Sequence, residues 1–391
     1  MFNSFFTWCF NSNGFIFISD IFWIIIVSII FLLIFIIAEA WRKFGALTEV
    51  TRKFVHFSGA FVTIFFPFIF KSHLTVLLLA VIFGGIMFVT KKLGKLQSVH
   101  AVERKSDGAI YHPIAIYVCF LYSQILNQPW FYVISILILG VSDAVAALVG
   151  KSYGMNEYIV EVGSKKTFEG SFTFFLTSFL ITHLILLFAT SIGRIETVLV
   201  ALLIAIIMTI FESVSLKGAD NLFIPIGTMF ILSKNIQPTF EGITFQIVVL
   251  LTFLIGYLVV MLPYKRVGFS GVVLLGLINY IIWALLGNIY AAILFVFAFL
   301  CQKTNLVLNY NCEEADVYRV RPIFYILSVP VICAFLGDFV GGKIIYPYVA
   351  SIICEGVIIK TKFFNGDLNK GLITTSIIST IILGVAYVFI R

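Results

Sequence analysis

Runs of about 20 apolar residues recur in this chain from residue 21 to its last residue, and no other feature restricts the fold so severely. A helix needs roughly 20 apolar residues, rising 1.5 Å each, to cross a hydrocarbon layer about 30 Å thick. The runs are continuous and do not alternate, which excludes a β-barrel. Of the 391 residues, 61% are hydrophobic and 12% are charged, against about 25% charged in an ordinary soluble domain. The reading is an all-α, polytopic transmembrane helical bundle. Spans are predicted near 20–41, 54–70, 73–90, 109–126, 130–150, 171–192, 196–213, 221–233, 243–262, 268–286, 289–302, 322–338, 344–360 and 371–390, about fourteen in all.

The basic residues divide between the two ends of these spans. Of the 26 lysines and arginines, only Lys71, Arg194, Lys234, Lys343 and Arg391 fall on one side. The positive-inside rule then puts the other end, with its long polar loops, in the cytoplasm and both termini outside. That distribution accounts for the net charge of +7 without a nucleic-acid partner. The segment 221–233 is short, about 20 Å as a helix, and a re-entrant course there would invert everything after it. The first twenty residues carry no Lys or Arg, which argues against a cleavable signal or transit peptide. Six scattered cysteines form no CxxC or Cys/His cluster, so neither a disulfide framework nor a zinc site is expected. Localisation is that of a multi-pass integral membrane protein, in the plasma membrane if the source is prokaryotic.

Four polar stations collect at the cytoplasmic end. In "EVTRKFVH", residues 49–56, Glu49, Arg52, Lys53 and His56 share one helical face. A snorkelling basic belt accounts for Arg52 and Lys53, but His56 lies a turn deeper. In "ERKSDGAIYHPIAI", residues 103–116, charges give way to Gly108, Tyr111, His112 and Pro113; a charged loop before a Pro-kinked span explains that stretch alone. In "LILGVSDAVAALVGKSYG", residues 137–154, Asp143 leads a face of Ala146, Ala147, Gly150 and Gly154. Small faces let helices approach closely, but a carboxylate within a membrane costs several kcal/mol and marks a site. Ten residues on, "SKKTFEGSF" supplies Lys165, Lys166, Thr167, Glu169 and Gly170. Paired ammonium groups with two acids suit a polyphosphate and a divalent cation. In the fourth station, residues 211–226, Glu212 ends one span while Asp220 and Asn221 begin the next, with Pro225 inside it. Asp220 could simply cap a helix; the Asn–Pro spacing also fits a helix bent around a cavity.

The order Asp143-x-x-Ala146-x-x-x-Gly150-x-x-x-Gly154, then Lys165-Lys166-Thr167-x-Glu169-Gly170, resembles the nucleotide-binding motif of the CTP-using lipid kinases. That family groups dolichol kinase, phytol and farnesol kinases, and the fungal CTP-dependent diacylglycerol kinase. "RKFVH", "GAIYHPIA" and "DNLFIPI" resemble its Arg-Lys-x-x-His, Gly-x-x-Tyr-x-Pro and Asp-Asn-Leu-x-x-Pro elements, in family order. The resemblance implies phosphoryl transfer from a nucleoside triphosphate, CTP, to the hydroxyl of a lipid alcohol dissolved in the membrane. Residues 1–235 would form that kinase-like domain and 236–391 an additional membrane segment. Asp143, with Glu169, would hold Mg2+. Lys165 and Lys166, with Thr167 and Gly170 beside them, would hold the triphosphate, and Gly150 and Gly154 would let its phosphates approach. Arg52 and Lys53 would stabilise the transferred group, and His56 or Asp220 would accept the hydroxyl proton.

Two other functions compete. A cytidylyltransferase acting on phosphatidate would use similar groups, but the chain has no Lys-x-x-Gly-His-Gly-Gly-x-x-Asp-Arg-like segment near its C-terminus. A carrier would place its charges near the bilayer midplane between internal repeats, whereas these gather at one end.

Overall fold

The computed structural model describes residues 18–100, 108–161, 164–215, 218–264 and 268–303, with isolated positions beyond 326. The predicted spans 322–338, 344–360 and 371–390, and the charged turn 103–107, lie wholly or almost wholly outside the described residues. Every other predicted span falls on a helix. In chain order these are α1 (Ile18–Lys43), α2 (Thr48–Thr63), α3 (Phe66–Ile69), α4 (His73–Lys92), α5 (Gln97–His100), α6 (Gly108–Leu126) and α7 (Pro129–Leu137). A π-turn, Ile138–Ser142, joins α7 to α8 (Asp143–Tyr153). After a hairpin come α9 (Phe168–Ala189), α10 (Arg194–Val214), α11 (Asp220–Lys234), α12 (Phe240–Met261), α13 (Phe269–Leu286) and α14 (Asn288–Lys303). Among the described residues eight helices are long and apolar enough to cross a membrane, with α7, the π-turn and α8 forming one of them. α2, α11 and α14, with 16, 15 and 16 residues, fall below that length.

The chain divides into two compact units, Met1–Glu157 with Lys166–Ile243, and Tyr158–Lys165 with Thr244–Arg391. The first is built around α10 and the α7–α8 helix, the most enclosed of its long helices. Val200, Ala201, Ile204, Ala205 and Met208 of α10 are fully buried, as expected of a helix apolar on all sides. α9 lies along α10 and buries a stripe of Gly170, Phe174, Ser178, Thr182 and Leu186, mixing small and bulky residues every four positions. α1 instead exposes Phe22, Ile25, Leu32, Leu33 and Ile36, an apolar face suited to lipid.

Two buried polar knots fix the ends of α1. At one end Asp20, wholly buried, accepts from the backbone N–H groups of Lys71 and Ser72 at 3.3 and 3.1 Å and from Thr75 Oγ1 at 2.9 Å. It thereby serves the unpaired N–H groups that precede α4. At the other end Glu39 accepts from Arg42 and, at 3.1 Å, from the Ser98 N–H, while Thr51 Oγ1 donates to the Ser98 carbonyl at 3.1 Å. One serine of α5 thus ties α1 to the start of α2.

The hairpin, β1 (Glu157–Glu161) and β2 (Ser164–Thr167), was not expected from the sequence. Tyr158 and Val160 are buried while Ile159 is exposed, the two-residue alternation of a strand. Within the second unit the Ile159 carbonyl accepts from Ser270 Oγ at 3.0 Å and the Tyr158 ring meets Phe269 edge-on. A Cβ at Gly276 of α13 would lie 3.2 Å from the Leu254 Cα, so α12 and α13 cross in near-backbone contact.

Candidate active site

The site begins with a register. Lys53, His56 and Ala60 lie on one face of α2 at i, i+3 and i+7. Opposite them run Asp143, Leu139 and Gly140 around the π-turn. A Cβ built on Gly140 would come within 2.3 Å of the Ala60 Cβ, so only glycine admits α2 at this distance. Above that crossing, His56 Nε2 lies 3.2 Å from the Leu139 carbonyl oxygen, to which it donates. One turn further Lys53 Nζ meets Asp143 Oδ2 at 2.6 Å. His56 Nε2 is also 3.8 Å from that oxygen. All three side chains are only 13% exposed, so the Lys53–Asp143 pair is a buried ion pair held by geometry. Removing either partner would strand the other's charge. π-turns inserted in helices occur frequently at functional sites.

A second buried pair lies close by. Lys166 Nζ donates to Glu212 Oε1 at 2.7 Å, to the Glu212 carbonyl and to Ser215 Oγ at 3.4 Å. It is also within electrostatic reach of Asp143. Glu212 Oε2 is sealed from solvent and has no hydrogen-bond partner among the described residues. Lys165 precedes Lys166 on β2, so strand alternation directs the two ammonium groups to opposite sides; Lys165 is exposed. The expectation treated the two as an equivalent pair, and their surroundings differ.

The small face after Asp143 serves packing. A Cβ at Gly150 would stand 2.8 Å from Thr167 Oγ1 and 3.4 Å from the Gly170 Cα, and one at Gly154 would stand 2.4 Å from Thr167 Cγ2. α8 and the start of α9 therefore meet backbone to backbone. Thr167 caps α9, its Oγ1 accepting from the Gly170 N–H at 3.2 Å. Glu169, expected beside Asp143 as a metal ligand, accepts from the Asn156 side-chain amide at 2.9 Å and its backbone N–H at 3.2 Å. It braces the turn between α8 and the hairpin.

The remaining candidates complete the cluster. Arg52 pairs with Glu49 at 2.8 Å, and its Nε is buried without a partner among the described residues. Asp220 is within electrostatic reach of His56, and its Oδ1 accepts from the Asn221 N–H at 3.0 Å. A Cβ at Gly108 would lie 2.4 Å from Asn221 Nδ2, so the second and fourth stations abut at the head of α6. The His112 ring stands 4.8 Å from that of His56, tilted by 54°. Sequence reasoning gave no role to His112, Glu212 or the Leu139 carbonyl. Glu212 had a signal, an acid closing an apolar span; the carbonyl had none.

A phytol kinase from Synechocystis is 33% identical over 183 residues, 47% of this chain and 78% of that protein. This chain belongs to the phytol kinase family. It is a membrane kinase of the lipid-alcohol class, whose reaction requires a nucleoside triphosphate as phosphoryl donor. No family model and no solved structure matches the chain.

A divalent cation accompanying the triphosphate would find oxygen donors here. Asp143 and Glu212 supply hard oxygen donors, and Glu212 Oε2 has no hydrogen-bond partner among the described residues. Among the described residues no three His, Cys, Asp or Glu side chains converge as a metal cage. Mg2+ takes one or two carboxylates and completes its shell with water and substrate phosphates, so Asp143 and Glu212 would be the residues to hold it.

Proposed function

We propose that this kinase transfers the γ-phosphoryl group of CTP, in the presence of Mg2+, to the hydroxyl of an isoprenoid or other long-chain alcohol dissolved in the bilayer. The observation that carries this reading is the buried Lys53–Asp143 pair within a long apolar helix of a chain of this family. A buried pair of that kind contributes little net stability, so its presence argues for chemistry. In the reaction the alcohol oxygen forms a bond to phosphorus, the bond from phosphorus to the departing nucleoside diphosphate breaks, and the hydroxyl proton leaves to a nearby base. Such transfer depends on positioning and charge neutralisation more than on covalent participation by the protein.

Bound Mg2+ would neutralise charge on the phosphates. Asp143 would hold it, with Glu212 as the second carboxylate in preference to Glu169, whose oxygens are engaged by Asn156. Lys53 and Lys166 would exchange their carboxylate partners for phosphate oxygens, each as a point charge. Arg52, with an unpartnered Nε, would add a guanidinium to the transferred group. His56 is engaged through Nε2 by Leu139, which favours an orienting role, and Asp220 is then the better candidate base. The cytoplasmic orientation of this end follows from the distribution of basic residues. The nucleotide would arrive from the cytosol and the alcohol laterally from the membrane.

The test supplies purified protein with each radiolabelled triphosphate and a panel of phytol, farnesol, polyprenols and diacylglycerol. A phosphorylated alcohol with CDP as co-product supports the reading. Release of pyrophosphate would indicate a cytidylyltransferase instead.

A further inference from the structure

His112 carries an unmet requirement that the residues around it do not explain. Both its ring nitrogens are sealed from solvent, and neither has a hydrogen-bond partner among the described residues. His56, His73 and His183 each have a partner for a ring nitrogen. In either tautomer a neutral imidazole presents one donor and one acceptor, and leaving a buried polar atom unsatisfied costs about 1–3 kcal/mol. The residue sits in the first turns of α6, immediately before Pro113. Proline there cannot donate to the Ala109 carbonyl, so the backbone beside His112 is also short of one bond. On one side the ring leans on His56, 4.8 Å away, and so on the Asp143 cluster. His112 therefore borders the charged cluster from within the bundle.

A small ligand reaches only one ring nitrogen, because the two point in diverging directions, and a group that both donates and accepts can meet that nitrogen in either tautomer. A phosphate oxygen only accepts and so meets the N–H nitrogen alone. A neutral alcohol hydroxyl does both. We propose that His112 holds the acceptor's hydroxyl, its unprotonated ring nitrogen accepting the O–H hydrogen bond and so turning the oxygen lone pair toward the phosphoryl group; His112, ahead of Asp220, is then the first group to receive the hydroxyl proton. This rests on the kinase reading above and adds the residue that recognises the acceptor. His56, its ring tilted by 54° against this one, limits the ring's rotation.

The experiment uses full-length protein in nanodiscs and three forms: wild type, His112→Phe, which keeps a flat ring without nitrogen, and His112→Gln, which restores an amide donor and acceptor. Binding of a tritiated long-chain primary alcohol is compared with that of its methyl ether, without nucleotide. Wild type is expected to prefer the alcohol roughly tenfold, His112→Phe to show no preference, and His112→Gln to regain most of it. In turnover, His112→Phe should lower kcat/KM for the alcohol roughly 10²-fold while KM for the nucleotide stays within about twofold. Equal binding of alcohol and ether by wild type, an undiminished preference in His112→Phe, or a His112→Gln as impaired as His112→Phe would each overturn the assignment. Selective alcohol binding by a wild type that transfers no phosphoryl group would defeat the kinase reading alone and leave this inference standing.

Discussion

Asp143 is paired inside a helix bundle with Lys53, 2.6 Å away, and that dependence makes the residue a sharp probe. Asp143→Asn keeps the shape and removes the charge. With membrane insertion and folding confirmed, it is expected to lower phosphorylation of lipid alcohol about 10²–10³-fold. Near-normal turnover would remove Asp143 from the metal role. Asp20 is the contrasting acid, equally buried but with all its contacts inside the scaffold. Asp20→Ala should cost about 3 kcal/mol of stability, read as a lower thermal inactivation temperature, while activity per folded molecule is unchanged. Loss of turnover in fully folded Asp20→Ala would contradict the separation between these two acids.

At the level of helices, everything depends on the crossing of α2 over the π-turn. Gly140→Ala adds a Cβ 2.3 Å from the Ala60 Cβ, an overlap that forces α2 away and costs about 1–3 kcal/mol. The displacement would pull Lys53 and His56 from Asp143, so activity should fall at least about tenfold. Combining it with Ala60→Gly removes the opposing methyl and leaves the new Cβ 3.8 Å from the Cα of residue 60, an ordinary contact. The double variant should therefore recover activity, and failure to recover would show that Gly140 acts through something other than this crossing. The helices themselves were legible, because apolar runs of spanning length leave few alternatives. The joining of α2 to the Asp143 helix was foreshadowed by Lys53 and His56 sharing a face with Arg52. The π-turn was not, since "ILGVS" carries no pattern distinguishing five-residue from four-residue hydrogen bonding. The hairpin was missed because "EYIVE" is too short to declare its alternation. The partners that Glu169 and Lys166 have in the structure were not legible, for one reason. Sequence spacing places a side chain near a site but does not say which neighbour takes its charge.

For the whole molecule, the two ends of the bundle differ in charge, and the orientation is open to chemical labelling. In a cysteine-free background, Lys92→Cys at the site end and Ser191→Cys at the other should react differently with a membrane-impermeant thiol reagent. Intact cells should label Ser191→Cys, and only permeabilised cells Lys92→Cys; the reverse would invert the orientation given by the basic residues. The Lys53–Asp143 bond also bears on how the bundle is assembled. Its two members are 90 residues apart, so the ammonium leaves the ribosome well before the carboxylate that neutralises it. Until then a lone cation must keep its head among the lipid phosphates. α2, too short to span comfortably, can wait there and move inward only when its counter-charge is inserted beside it. The same bond would then tie the seating of α2 to the insertion of the helix that carries Asp143.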